Sequence, residues 1–142
     1  MARIKLELPE KFVFTTHIDV RISDINYGGH LGNDAVLSII HEARMRFLKS
    51  MGFSEMNIGG CGLIMGDVSI VFKAETFYGE KLEIKIALQD MAAVGFDIFY
   101  LITNLSTGRE TCRAKTGMVF FDYTLKKICK APELFLSAIA AF

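Results

Sequence analysis

The sequence predicts an α+β fold in which a curved antiparallel sheet wraps around one long helix. Three observations predict it: one long amphipathic segment at about residues 33–51, four β-type segments following in close succession, and apolar residues on both faces of several of those segments. Consecutive strands joined by short turns pair antiparallel. A lone helix of about five turns has to bury its apolar stripe on the sheet they form.

The first strand is expected over Phe12–Ile22, where Ile18, Val20 and Ile22 alternate with Asp19, Arg21 and Ser23. A glycine-containing loop follows, Asp24–Gly32, and then the helix, Asn33–Met51. Asn33 or Asp34 is suited to cap its start, and Gly52 suits a left-handed residue at its end. At one hundred degrees per residue, Val36, Leu37, Ile40, Ala43, Phe47, Leu48 and Met51 share one side, and Ser38, Glu42, Arg46 and Lys49 the other. Further strands are expected at Ile64–Ala74, Lys81–Asp90, Gly95–Asn104 and Glu110–Tyr123, separated by turn-forming stretches such as Ser106-Thr107-Gly108. A short helix, Glu133–Ala141, closes the chain. Within 95–104, Phe96, Ile98, Tyr100 and Ile102 face one way, and Phe99 and Leu101 the other. One helix cannot cover both faces, so a second copy of the chain is the economical cover.

The length of 142 residues fits one domain, 1–142. Such a chain buries roughly 68–70% of its unfolded surface and needs neither disulfide nor metal to fold. Sixteen basic residues balance sixteen acidic ones, so no whole-chain field draws nucleic acid or an anionic membrane. No apolar run is long enough to span a membrane, and MARIKLELPEKF lacks the apolar stretch of a signal peptide; a cytoplasmic protein is expected. Cys61, Cys112 and Cys129 are odd in number and scattered, which predicts reduced thiols, with no metal-ligand spacing.

The chemistry is concentrated in Arg21–Gly52, RISDINYGGHLGNDAVLSIIHEARMRFLKSMG. Its first part reads as a thioester site. Attack on a thioester builds negative charge on the carbonyl oxygen, and a helix N-terminus offers free N–H groups and a positive dipole end to meet it. Gly28, Gly29 and Gly32 let backbone approach a ligand, and His30 and Asp24 stand just before the helix as acid–base candidates. Taken without any resemblance, the same residues favour a capped glycine-rich turn whose histidine bonds a backbone carbonyl, and it is the following resemblance that favours a site. Asp24, with His30 six residues on, Asn33 three beyond, Glu42-Ala43-Arg44 and the closing Gly52, resembles the hotdog-fold thioesterases of the 4-hydroxybenzoyl-CoA thioesterase type and their plant acyl-carrier thioesterase relatives. The resemblance extends over nearly the whole chain and implies a hotdog fold, hydrolysis of an acyl-CoA without a cofactor other than the substrate's own coenzyme A, and a homodimer or homotetramer.

The chain departs from that pattern at Asn26, where many members carry the carboxylate that serves as base or nucleophile. An amide cannot take a proton from water, so Asn26 is left to orient water or substrate, and Asp24 or His30 to activate it. The resemblance places Gly29, Asn33, Glu42, Gly66 and Asp67 as candidate substrate-binding residues. Each also has a plain structural reading: Glu42 as a partner of Arg46, and Asp67 as a hydrogen-bonding residue in an otherwise apolar strand. Arg44 falls inside the helix's apolar stripe and needs an acceptor, for which Asp24, Asp67 and backbone carbonyls are candidates. Arg109, Arg113, Lys115, Lys126, Lys127 and Lys130 are available for coenzyme A phosphates, and Ile39, Ile40, Phe47 and Phe72 for an acyl tunnel. Two alternatives stand beside hydrolysis. One is a non-catalytic acyl-CoA binding module, which Asn26 favours. The other is a hotdog enoyl-CoA hydratase, disfavoured because His30 follows Asp24 by six residues with no proline between.

Overall fold

The computed structural model describes residues 2–142. The chain runs β1 (Phe14–Asp19), α1 (Asn33–Ser50), β2 (Gly62–Phe72), β3 (Lys81–Gln89), β4 (Gly95–Asn104), β5 (Arg109–Asp122), β6 (Lys127–Ile128) and α2 (Glu133–Ala140). The strands form one sheet in the order β1-β3-β4-β5-β2, with every pair antiparallel and the two-residue β6 beside the far end of β5. All the expected elements are present, and their ends differ for local reasons. β1 stops at Asp19 because the chain breaks away into a single 3-10 turn, Ile22–Asp24. β3 stops before Asp90, whose φ of 55° is left-handed. β6 follows a left-handed residue, Lys126, and is too short to leave a pattern in sequence.

α1 packs Val36, Ile39, Ile40, Ala43, Phe47 and Leu48 into the core against Leu82, Ile84 and Ile86 of β3 and Ile98 and Tyr100 of β4. Two expectations for this helix are corrected. Its N-cap is Gly32, and no side chain caps it: Gly32 is held from behind, its N–H donating to the Asp24 carbonyl at 2.9 Å. Leu37 is 40% exposed although it lies in the predicted stripe. Leu48, on the same edge of the helix, is buried because the chain folds back over it and Phe53 N–H donates to its carbonyl; at Leu37 nothing comes over.

Arg44 is buried, and neither Asp24 nor Asp67 is its partner. Its Nε donates to Glu55 Oε1 at 2.8 Å and its Nη1 to the Tyr100 hydroxyl at 3.1 Å; that hydroxyl is 2.9 Å from Thr116 Oγ1. Burial pulls the guanidinium pKa down, but Tyr100 and Glu55 more than offset this and leave it above the ordinary value. The network joins α1, the loop after it, β4 and β5.

The outward face of the sheet carries Ala87, Phe99 and Leu101, and the chain covers much of it without a second copy. Phe99 is only 7% exposed, and the N-terminal segment is attached to the strands: Arg113 Nη1 donates to the Leu6 carbonyl, Val13 N–H to the Ile86 carbonyl, and Lys85 Nζ lies over the Phe12 ring. What stays open is β2. It ends the sheet, and Met65, Val68 and Phe72 sit opposite Met118, Thr116 and Cys112 on the inward face yet are 44%, 42% and 47% exposed. The exposed apolar strip is therefore on the helix side of an edge strand.

Cys61 and Cys129 lie sulfur to sulfur, which scattered positions 68 residues apart did not suggest. Their Cα atoms are 7.2 Å apart, beyond the roughly 4.4–6.8 Å that disulfides usually span, and the two side chains form a contacting pair. Cys112 is free and buried in the core. No helix of the described residues is long and apolar enough to cross a membrane.

Two measurements check this account. Tyr100→Phe strands Arg44 Nη1 and Thr116 Oγ1 without their partner, and chemical denaturation is expected to show a loss of about 1–3 kcal/mol. Burial pushes the Cys112 thiol up to about 12, so at pH 8 it is protonated and enclosed. Titration with a thiol reagent is expected to leave Cys112 unmodified in the folded protein and to modify it fully in guanidinium.

Candidate active site

The turn that enters α1 is built from backbone bonds. Asn26 N–H donates to the His30 carbonyl at 2.9 Å and Gly29 N–H to the Asn26 carbonyl at 3.1 Å, closing a tight reversal in which Gly29 has φ +83°. Leu31 N–H donates to the Thr76 carbonyl at 2.7 Å and so pins the turn to the segment between β2 and β3. A side chain at Gly29 would be strained by the backbone alone.

Asp24 does not face His30. It is 4% exposed and given over to Arg21: Oδ2 accepts from Arg21 N–H at 2.9 Å and Nε at 3.3 Å, and Oδ1 from Nη2 at 3.2 Å. With its own carbonyl bonded to Gly32, Asp24 acts as a clamp on both ends of the turn.

Asn26 and His30 do converge. Asn26 Oδ1 accepts from Gly28 N–H at 2.9 Å. His30 Nδ1 is 3.3 Å from the Leu31 carbonyl, which assigns the proton to Nδ1 and leaves Nε2 as the free nitrogen. The position a Gly28 Cβ would occupy is 3.2 Å from Asn26 Oδ1 and 3.3 Å from His30 Nε2. Both polar atoms therefore border the same face of the Gly28 backbone. His30 and Asn33 also line a cleft of about 240 Å³ with Val36, Phe72, Lys73 and Glu75. The uncapped first turn of α1 and the imidazole thus share one opening.

The other candidates lie apart. Glu42 is on the polar side of α1, where Arg46 Nε donates to it at 3.1 Å, in a separate groove with His17, Arg21 and Lys81. Gly66 is the unpaired residue of a β-bulge between Met65 and Asp67. Asp67 is opposite Gly117 on the outward face, where it accepts from Lys115 Nζ at 2.8 Å and Gly117 N–H at 2.9 Å. The Lys115 bond holds its carboxyl below the usual range. The bulge accounts for this: without an extra residue, Asp67 would fall on the inward face. Ile39, Ile40 and Phe47 are sealed in the core, so of the four apolar candidates only Phe72 reaches the cleft. Arg113 and Lys115 are engaged by Glu110 and by Asp67 and Asp97. Sequence reasoning missed Arg21, Lys73 and Glu75. The last two lie more than forty residues beyond His30, and only the Leu31–Thr76 bond brings their segment alongside it.

Gly28→Ala places a methyl where Asn26 and His30 meet. Its φ is not left-handed, so the backbone tolerates the change. An unchanged melting temperature with a large fall in turnover is expected.

No curated protein matched. Among solved structures, a 1,4-dihydroxy-2-naphthoyl-CoA thioesterase from Synechocystis is 26% identical, with 89% of this chain and 95% of that one covered and a TM-score of 0.81. A gentisyl-coenzyme A thioesterase is 17% identical (88% and 98% covered, TM-score 0.78). A hypothetical protein of Staphylococcus aureus, solved in complex with CoA, is 18% identical (96% and 87%, TM-score 0.82). The family model of the thioesterase-like superfamily matches residues 20–139, and with the hotdog-type order of strands and helix around the His30 turn, this chain belongs to that superfamily.

Proposed function

We propose that this protein is a cytoplasmic acyl-CoA thioesterase of hotdog architecture, its sheet curled around α1, acting as a homodimer. The observation that carries the reading is that His30 and Asn33, at the uncapped start of α1, line one cleft, with Asn26 Oδ1 and His30 Nε2 bordering the same face of Gly28. Asn26 and His30 hold a water, and His30 Nε2 takes its proton as the oxygen attacks the thioester carbon. Negative charge growing on the carbonyl oxygen is met by the first-turn N–H groups of α1. Collapse of the adduct breaks the C–S bond, and the thiolate recovers the proton from His30. Glu75, the carboxylate among the cleft-lining residues, is available for the acid–base role that the Asn26 amide cannot take, and Lys73, which also lines the cleft, for a phosphate of coenzyme A. Asp24 contributes by holding the turn through Arg21.

The dimer rests on β2. An eleven-residue edge strand with an exposed apolar strip is a template for pairing, and an identical strand meeting it antiparallel satisfies the open backbone groups and buries Met65, Val68 and Phe72. A non-catalytic acyl-CoA binding module remains the second reading, and Asn26 is the residue that favours it.

Release of free thiol from a panel of short, long, branched and aromatic acyl-CoAs is the test, and rates above background on at least one are expected. Rates at background with tight binding favour the binding module. On the best substrate, His30→Ala is expected to lower kcat by ~10²-fold or more with the fold intact. Val68→Asp, which puts a charge into the proposed dimer contact, is expected to give a monomer by light scattering and to lose most activity.

A further inference from the structure

The three cysteines do not share one environment. Cys112 is sealed in the core, where burial keeps its thiol protonated. Cys61 and Cys129 are half-buried and lie sulfur to sulfur, although 68 residues separate them along the chain. Lys127 and Lys130 flank Cys129 in the sequence, and neighbouring cations favour the thiolate, the reactive form of cysteine.

The segments that the two cysteines belong to give the contact a consequence. Cys129 is in a strap fixed to the sheet: its N–H donates to the Phe120 carbonyl at 3.0 Å, and Ala131 N–H donates to the Ala93 carbonyl at 2.9 Å. α2 begins two residues later, at Glu133. Cys61 ends the loop between α1 and β2, which is held by short-range bridges, Ser54 with Asn57 and Ile58 with Cys61. The same loop carries Glu55, the carboxylate that accepts from the buried Arg44, and Leu63 N–H closes on the Glu55 carbonyl at 2.7 Å. Loop and strap already press together, since the position a Gly59 Cβ would take is 2.9 Å from Pro132 Cβ. With the Cα atoms 7.2 Å apart, a covalent bond draws the segments together by about 0.4 Å or more. Neither cysteine is inside a long element, Cys61 preceding β2 and Cys129 following the two-residue β6, so the loop is free to supply that shift.

We propose that Cys61 and Cys129 form a reversible disulfide, made by exchange with a small disulfide such as oxidised glutathione, that clamps the Glu55 loop onto the strap between β6 and α2. One cysteine thiolate attacks a sulfur of the small disulfide, whose S–S bond breaks to release one glutathione thiolate. The second cysteine thiolate attacks the mixed disulfide and expels the other. The two cysteine thiols together lose two electrons and two protons, and one glutathione disulfide is reduced to two thiols. Closing a loop this long removes conformational freedom from the unfolded chain. In the folded chain it holds Glu55 in place beside Arg44. A reducing compartment keeps the pair open, so the bond responds to a change toward oxidising conditions. None of this depends on the thioesterase reading.

The test compares the full chain after incubation with oxidised and with reduced glutathione. Thiol titration in guanidinium is expected to find Cys112 alone in the oxidised protein and all three cysteines in the reduced one, with single chains on a denaturing gel run without reductant. The oxidised protein is expected to melt about 5 °C or more higher. Amide exchange at Ile58 and Leu63 is expected to slow tenfold or more, and dithiothreitol to reverse both changes. Cys61→Ser and Cys129→Ser are each expected to melt at one temperature whichever glutathione is present; the wild-type comparison stands by itself if a serine variant does not fold. Four results overturn the proposal: three thiols still free after oxidation, a bond formed between chains, an internal bond that alters neither melting nor exchange, or an oxidant-dependent shift that persists in a serine variant.

Discussion

A buried guanidinium is the constraint on which the arrangement depends. Arg44 lies in the middle of the stripe that α1 presses on the sheet, and an unpaired charge there would cost several kcal/mol. Its acceptors come from separate parts of the chain: Glu55 from the loop after the helix, and Tyr100 from β4 with Thr116 of β5 behind it. Satisfying all of them permits one rotation of the helix and one path for the loop. That rotation buries Val36, Ile40 and Phe47 and leaves Leu37 and the His41 side chain exposed. The same network that rigidifies the core therefore sets which face of the helix stays open.

The entry to α1 is governed by a second ion pair, of Arg21 with Asp24. Because Asp24 is occupied on both oxygens, the group that the sequence offers as a base is spent on holding the turn. This leaves Asn26 and His30 to meet at Gly28, and leaves the first N–H groups of the helix without a side-chain cap. An uncapped helix start is a small loss of stability, typically about 1 kcal/mol, and it is compatible with a site where those N–H groups are kept for a developing anion.

Much of the molecule was legible because it obeys local rules. Period-two and period-3.6 patterns located five strands and both helices, and Gly95–Asn104 was read to the residue. The errors share a cause, which is that they turn on which distant segment lies alongside. Leu37 and Leu48 are alike in sequence, and only the fold-back at Phe53 separates exposed from buried. Asp67 changes face through one bulge residue, Gly66. Glu75 joins the cleft because a backbone bond pins Thr76 to Leu31.

By itself the sequence determined the class of fold, the position of the long helix and the glycine-rich turn, residues 24–33, that leads into it. It did so because periodicity, glycine placement and the spacing of Asp24, Asn26 and His30 are properties of adjacent residues. Which carboxylate is free and which is spent, which acceptor neutralises Arg44, and which apolar residues remain open for another chain were decided only by the tertiary structure. Those are questions of pairing and burial among groups tens of residues apart, and a charge or an apolar side chain carries no local mark of the partner it will find.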